Sequence, residues 1–249
     1  MRRGLAAGKK HGVLRGVAEH RGGEQLKEAP WRAGWRAARA NLVPGLIVQA
    51  AMVGILLAWR YHPGTREFLE SLARLKSDLG WIYSGIASAV AGALIPEFMR
   101  WLLFQRGRWT VANGRELLFA APFWCAMGVA VDFFYRAQAR WFGDEASLAV
   151  VVPQVIVDQF LYNPLFATPV TVWMYAWKNG GYRWKPEFFT ARFYLHRVVP
   201  ALFATWGVWI PVVTVLYMLP ETVQIPLFAL ALSMWVMIIS WMAREKAHS

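Results

Sequence analysis

The sequence predicts an all-α polytopic membrane protein, a transmembrane bundle of about six spanning helices with one or two interfacial amphipathic helices. Three observations predict it. The chain is 57% apolar and only 17% charged, with a mean hydropathy of +0.31, whereas soluble domains are nearer one quarter charged. Its charged residues cluster between long apolar runs. Its 15 Trp and 8 Tyr suit aromatic belts at two membrane interfaces.

Composition also excludes several functions. The net charge is +12, but the basic residues flank apolar spans and form no soluble basic face, so the expected partner is the bilayer with its anionic headgroups and not nucleic acid. The lone cysteine, Cys125, lies in an apolar run; it permits no internal disulfide or multi-thiolate metal site and reads as a small buried hydrophobe. There is no Gly-rich phosphate loop, G-x-S-x-G or H-E-x-x-H. His11, His20, His62, His196 and His248 are too dispersed for a metal site. The expectation is therefore no enzyme, no catalytic residue, no metal and no cofactor.

Taken in order, residues 1–23 are rich in Gly, Arg and Lys and lack the apolar h-region of a secretory signal; they read as a disordered basic cytoplasmic tail. Residues 24–40 place Trp31 and Trp35 on one helical face and Arg32, Arg36 and Arg39 on the neighbouring one. That is the pattern of a basic helix on an anionic membrane surface, and equally of a positive flank that fixes topology. Spans are expected near residues 41–59, 79–104, 117–135, 146–177, 194–219 and 225–243, with a tail at 244–249. Between the first two, Phe68, Leu72, Leu75 and Leu79 recur at helical spacing, as in a short interfacial helix. The second run is rich in small residues, which suits close packing, either within the chain or in a homo-oligomer; it also carries Glu97 and Arg100 one turn apart.

The fourth run, Ala146 to Trp177, holds 32 residues of which only Asp158 is charged, with Pro153, Pro164 and Pro169 interrupting it. Each proline removes a backbone donor, and a carboxylate at mid-membrane depth is expensive enough to face a protein interior or a wet cavity. Asp158, Gln159, Tyr162 and Pro164 are thus the candidate polar interior, with Asp132, Glu97 and Arg100 as possible partners. Each carboxylate has two readings: a buried pairing that fixes helix register, or a hydrophilic path for ions or solutes. Of the 27 Lys and Arg, 21 fall on the side that holds both termini when six spans are drawn. The positive-inside rule then places the termini in the cytoplasm, of a bacterial inner membrane, or alternatively in the corresponding compartment of a mitochondrial inner or peroxisomal membrane.

These motifs carry a resemblance. Asp158-Gln159-x-x-Tyr162-x-Pro164 resembles the D-Q-x-x-x-x-P motif of the Mpv-seventeen/PMP-twenty-two family of small multi-spanning membrane proteins. Arg115 followed by Gly128-x-x-x-Asp132-x-x-Tyr135 is similar to its R…G-P-x-x-H-x-W-Y, and Trp206-x-x-Trp209-x-Pro211 to its tryptophan-proline segment. Leu219-Pro220, Gln224 and Trp235-x-x-x-x-Ser240 align with later positions. The chain departs at Asp132, Val129, Gln224 and Val236, where the family has His, Pro, Arg and Asn, as a divergent bacterial relative would. The resemblance implies an all-helical membrane bundle with a channel or solute-permeability role. The alternatives are a non-transporting scaffold or lipid-interacting protein, for which residues 32–39 are the active feature, and an accessory subunit of a membrane complex.

Overall fold

A computed structural model describes residues 29–248. The basic tail expected over residues 1–23, and the first residues of the segment expected at 24–40, lie outside the described residues.

The fold is all-α. Pro30, suited to a first helical turn by its fixed φ, opens α1 (Pro30–Ala40), which passes through Asn41 into α2 (Leu42–Tyr61). His62 ends α2 and starts α3 (Pro63–Leu79), its Nδ1 accepting the Thr65 N–H at 3.2 Å. At Gly80 the chain turns with φ +58°, a conformation that favours glycine, into α4 (residues 81–104). Thr110 starts α5 (Val111–Phe142), its N–H donating to Asn113 Oδ1 at 2.7 Å. Gly143, at φ +94°, turns the chain back into α6 (Leu148–Asn179). A 3-10 turn, Pro186–Phe189, precedes α7 (Ala191–Tyr217), and α8 (Glu221–His248) completes the described chain. Pro186 opens this turn, and the helix begins where the Thr190 hydroxyl accepts the Phe193 N–H.

Helices α2, α4, α5, α6 and α7 are long and apolar enough to cross a membrane, and α8 carries a shorter apolar stretch, Val223–Met237. Their polarity is turned inside out. Large apolar residues such as Leu42, Leu46, Leu118, Phe133, Ile156 and Leu165 face outward, while Asn113, Asp132, Gln138, Gln154, Asp158 and Gln159 are buried. Lipid accepts the former, and only a protein interior satisfies the latter.

Facing residues give the helix directions. Gly85 meets Cys125 and Gly92 meets Trp124, so α4 and α5 run antiparallel; Gln138 reaches the Gln154 carbonyl, so α5 and α6 do too. The α5–α6 and α7–α8 turns thus share one end with α3. The opposite end carries α1, the α4–α5 turn and the α6–α7 loop. The small face of α4 packs within the chain: a Cβ added at Gly128 would lie 2.3 Å from the Ser84 carbonyl oxygen and 2.2 Å from Ser88 Oγ. Close backbone approach of this kind is how membrane helices gain van der Waals contact.

Helix α3 turns inward a face about a quarter-turn from its apolar stripe, and of that stripe Leu72 packs against the core. Leu69, Ala73 and Lys76 are buried, while Phe68, Leu75 and Leu79 are exposed. The inward face is chosen by Lys76, whose ammonium has a buried carboxylate to meet; the exposed leucines are left for lipid.

Proline shapes three helices further. Turns bonded i→i−5 occur at Val90–Leu94 just before Pro96, at Asp158–Ala167 around Pro164, and at Tyr194–Val198 just before Pro200. A proline removes its own bond to residue i−4 and clashes with that carbonyl, and a widened turn relieves both. Among these the Asp158–Ala167 stretch is the longest, at 10 residues.

Candidate functional site

Three carboxylates are buried among the described residues: Glu97, Asp132 and Asp158. Glu97 lies near the basic end. Its Oε1 accepts from Asn113 Nδ2 at 2.5 Å, and Arg100 Nη2 approaches Oε2 at 3.0 Å. Nearby, Lys178 binds both oxygens of Glu116, with Arg100 3.8 Å from one of them. These contacts tie α4, α5 and α6 together.

Asp132 sits ten residues inside the end of α5, deeper than a span ending at residue 135 would put it. Arg136 donates to its Oδ2 from the next turn of α5, and Lys76 Nζ of α3 stands 2.9 Å from Oδ1. The lysine and the arginine together close the carboxylate with two ion pairs.

Asp158 is different. Its partners are Tyr217, whose hydroxyl donates to Oδ2 at 2.6 Å, and Gln159, whose Nε2 donates to Oδ1 at 3.0 Å. No Lys, Arg or His among the described residues pairs with it. The hydrogen bonds behind these two continue in a consistent direction. Gln138 Nε2 donates to the Tyr217 hydroxyl at 2.8 Å. On the other side, Thr168 Oγ1 donates to Asn163 Oδ1 at 2.6 Å, and Asn163 Nδ2 donates to Gln159 Oε1 at 3.3 Å. Every donor in both arms points toward the Asp158 carboxylate. Such chains polarise one another in a low dielectric, so the arrangement stabilises negative charge at Asp158 without a countercharge.

The π-helical stretch is what builds the second arm. Asp158, Asn163 and Thr168 are five apart, and the Thr168 N–H bonds the Asn163 carbonyl across five residues. On an α-helix these side chains would point away from one another; on the widened turns they stack. Helix α7 fixes the segment from its other side, where Trp206 Nε1 donates to the Gln159 carbonyl at 2.8 Å and the Tyr194 hydroxyl to the Pro164 carbonyl at 2.8 Å.

Asp158, Gln159, Asn163 and Thr168 form the polar wall of a cavity of about 350 Å³ between α4, α5, α6, α7 and α8. From Asp158 it extends toward the basic end: its α7 wall runs from Val213 to Ala201, twelve residues or about 18 Å of helix. At the other end Leu216, Tyr217 and Gln138 fill the bundle and are all buried. The remaining lining includes six aromatic side chains, Trp124, Tyr135, Tyr162, Trp209, Phe228 and Trp235, among aliphatic and small residues. The Tyr162 ring stacks on Phe134 with centroids 3.9 Å apart, and its buried hydroxyl has no hydrogen-bond partner.

Of the residues that the sequence singles out, then, Asp158, Gln159 and Tyr162 line this cavity, and Pro164 shapes its wall through the backbone. Asp132, Glu97 and Arg100 do not line it. Asn163, Thr168, Tyr217 and Gln138 are the additions. The surface residues Trp31, Arg32, Trp35, Arg36 and Arg39 are all exposed, with Arg39 over the Trp35 ring at 5.6 Å, while the opposite face of α1 seats Gly34 against Phe203 of α7.

Fold and site together define an integral membrane protein, a helical bundle with an internal cavity closed on one side over a buried carboxylate. Comparison with family models, curated proteins and solved structures returns no match to the chain.

Proposed function

We propose that the chain is a solute-permeability protein of the channel or carrier type, whose path runs through the cavity and whose functional carboxylate is Asp158. One observation carries this reading: Asp158 is the buried carboxylate that lacks a cationic partner among the described residues, and it is the one that faces the cavity. A carboxylate kept only for helix register resembles Asp132, closed off by its own cations. Residual resemblance to the Mpv-seventeen/PMP-twenty-two family supports the same reading. Exposed Arg106, Arg108, Arg183, Lys185, Arg192 and Arg197 gather at one end of the bundle, which supports a cytoplasmic placement of that end. In proteoliposomes, Asp158→Asn is expected to change solute release across a size series while the protein elutes as a folded species. Unchanged release from a folded variant overturns the assignment.

A second reading rests on α1, whose Trp31 and Trp35 are 62% and 58% exposed beside three arginines. It makes the protein a lipid-interacting scaffold. Binding of anionic vesicles by the detergent-free protein, weakened by salt and by replacing both tryptophans, supports it; salt-insensitive binding counts against it.

A further inference from the structure

Resting on the reading of the cavity as the solute site, we infer that its occupant is a small organic cation, an ammonium group held by Asp158 and the aromatic walls. Three features converge on this chemistry. The first is the direction of the hydrogen bonds: Gln138 through Tyr217, and Thr168 through Asn163 and Gln159, all donate toward one carboxylate. Donors so arranged have already met the needs of an anion for hydrogen bonds, and what they leave unmet is countercharge. The second is that the described residues supply none. The neighbouring carboxylates show what the chain does when charge is to be neutralised internally: Asp132 holds Lys76 and Arg136, and Glu97 holds Arg100.

The third feature is the remaining wall. Opposite the polar wall, the lining includes the aromatic side chains of Trp124, Tyr135, Tyr162, Trp209 and Trp235. Aromatic faces attract cations through the ring quadrupole, by up to about 2 kcal/mol when the pair is desolvated, and walls of this kind recognise alkylated ammonium groups. The unpartnered Tyr162 hydroxyl suits a ligand that also carries a hydroxyl or carbonyl, while the Thr171 and Thr205 hydroxyls on the lining donate to the Ala167 and Ala201 carbonyls and are left to accept. The volume of about 350 Å³ lies at the small end of ligand pockets, which span about 300–1,000 Å³. An anion is excluded by Asp158 itself, and a purely apolar guest would leave that carboxylate uncompensated.

Choline is the probe, and 3,3-dimethylbutan-1-ol, its uncharged isostere, is the control. Both are titrated calorimetrically into the full chain in a maltoside detergent free of quaternary ammonium. Choline is expected to bind the wild type, to bind Asp158→Asn at least tenfold more weakly, and to be displaced by tetramethylammonium. The isostere is expected to bind both proteins equally and at least tenfold more weakly than choline binds the wild type. Glycerophosphocholine run beside choline distinguishes a lipid headgroup from a free cation as the source of the ammonium, according to which binds tighter. Equal affinity for choline and the isostere overturns the inference, as does choline binding unaffected by Asp158→Asn, or no choline binding by folded wild type. The displacement arm needs no variant, so a misfolded Asp158→Asn leaves the test intact. Release of erythritol from phosphatidylethanolamine–phosphatidylglycerol vesicles separates the two levels. Asp158-dependent release without choline binding sinks the cation and spares the permeability reading. Choline binding without release of choline or erythritol does the reverse.

Discussion

Asp132 and Asp158 are buried at nearly the same level of one bundle, linked through Tyr135, which lies one turn from the first and against Tyr217, the partner of the second. They solve the same electrostatic problem in opposite ways. Asp132 is closed by two cations from two helices, and the pairs hold α3 on α5. Asp158 is closed by neutral dipoles and faces a cavity. A cation supplied by the chain settles a carboxylate permanently, whereas dipoles leave it able to attract a guest.

The contrast is broken most directly at Asp132. Replacing it by Ala strands Lys76 and Arg136 without their counterion, and removing one partner of a buried pair costs about 3–5 kcal/mol; thermal unfolding in detergent measures it. Lys76→Met added to Asp132→Ala is expected to recover a large part of that loss, because the stranded charge is gone. A loss that stays the same in the double variant would mean that the pair is not what Asp132 provides. Next in size is Gly128→Ala, which affects both regions since Gly128 lines the cavity and lies one turn before Asp132. The added methyl has no room against Ser84 and Ser88, and overpacking of this order costs about 1–3 kcal/mol.

Tyr217→Phe sharpens the comparison from the other side. It removes one of the two donors to Asp158 and leaves Gln138 short of an acceptor, for an expected loss of about 1–2 kcal/mol. Asp158→Asn is expected to cost as much, about 1–2 kcal/mol, because its amide oxygen still accepts from Tyr217 or Gln159 while its amide N–H faces the other donor. The comparison predicts this inversion: the carboxylate least needed for stability is the one whose loss is expected to change solute release. If Asp158→Asn unfolds the protein as Asp132→Ala does, the two carboxylates are alike and the contrast is wrong.

Much of this was legible in the chain. Long apolar runs with charges between them imply the helical bundle, and a single charge amid 32 residues marks Asp158. The Glu97–Arg100 pair follows from one-turn spacing. Asn163 and Thr168 were not legible, because they follow Asp158 at successive spacings of five, and reading with a period of 3.6 scatters them around the helix. Tyr217 and Gln138 escaped for another reason: they are 79 residues apart, and only the packing of α5 against α7 brings them together. For α3, apolar spacing identified an amphipathic interfacial helix but did not say which face meets the protein. In a membrane the apolar stripe has two possible destinations, lipid and core, and the choice was made by Lys76, a residue that hydropathy counts as outward.

The π-helical stretch of α6 has a consequence for how this site tolerates change. Widened turns accommodate residues that an α-helix of the same length does not hold, so a deletion within residues 159–167 would let the segment relax toward α geometry. Each residue of an α-helix turns it by about 100°, so one deletion would rotate the Thr168 side of α6 relative to the Asp158 side by about that angle. Thr168 would leave the wall, and Asn163 with it when the deletion precedes residue 163, although neither had been substituted. The wall is therefore specified by a count of residues as much as by their identities, and length variation within this segment is as damaging to it as the loss of Asp158.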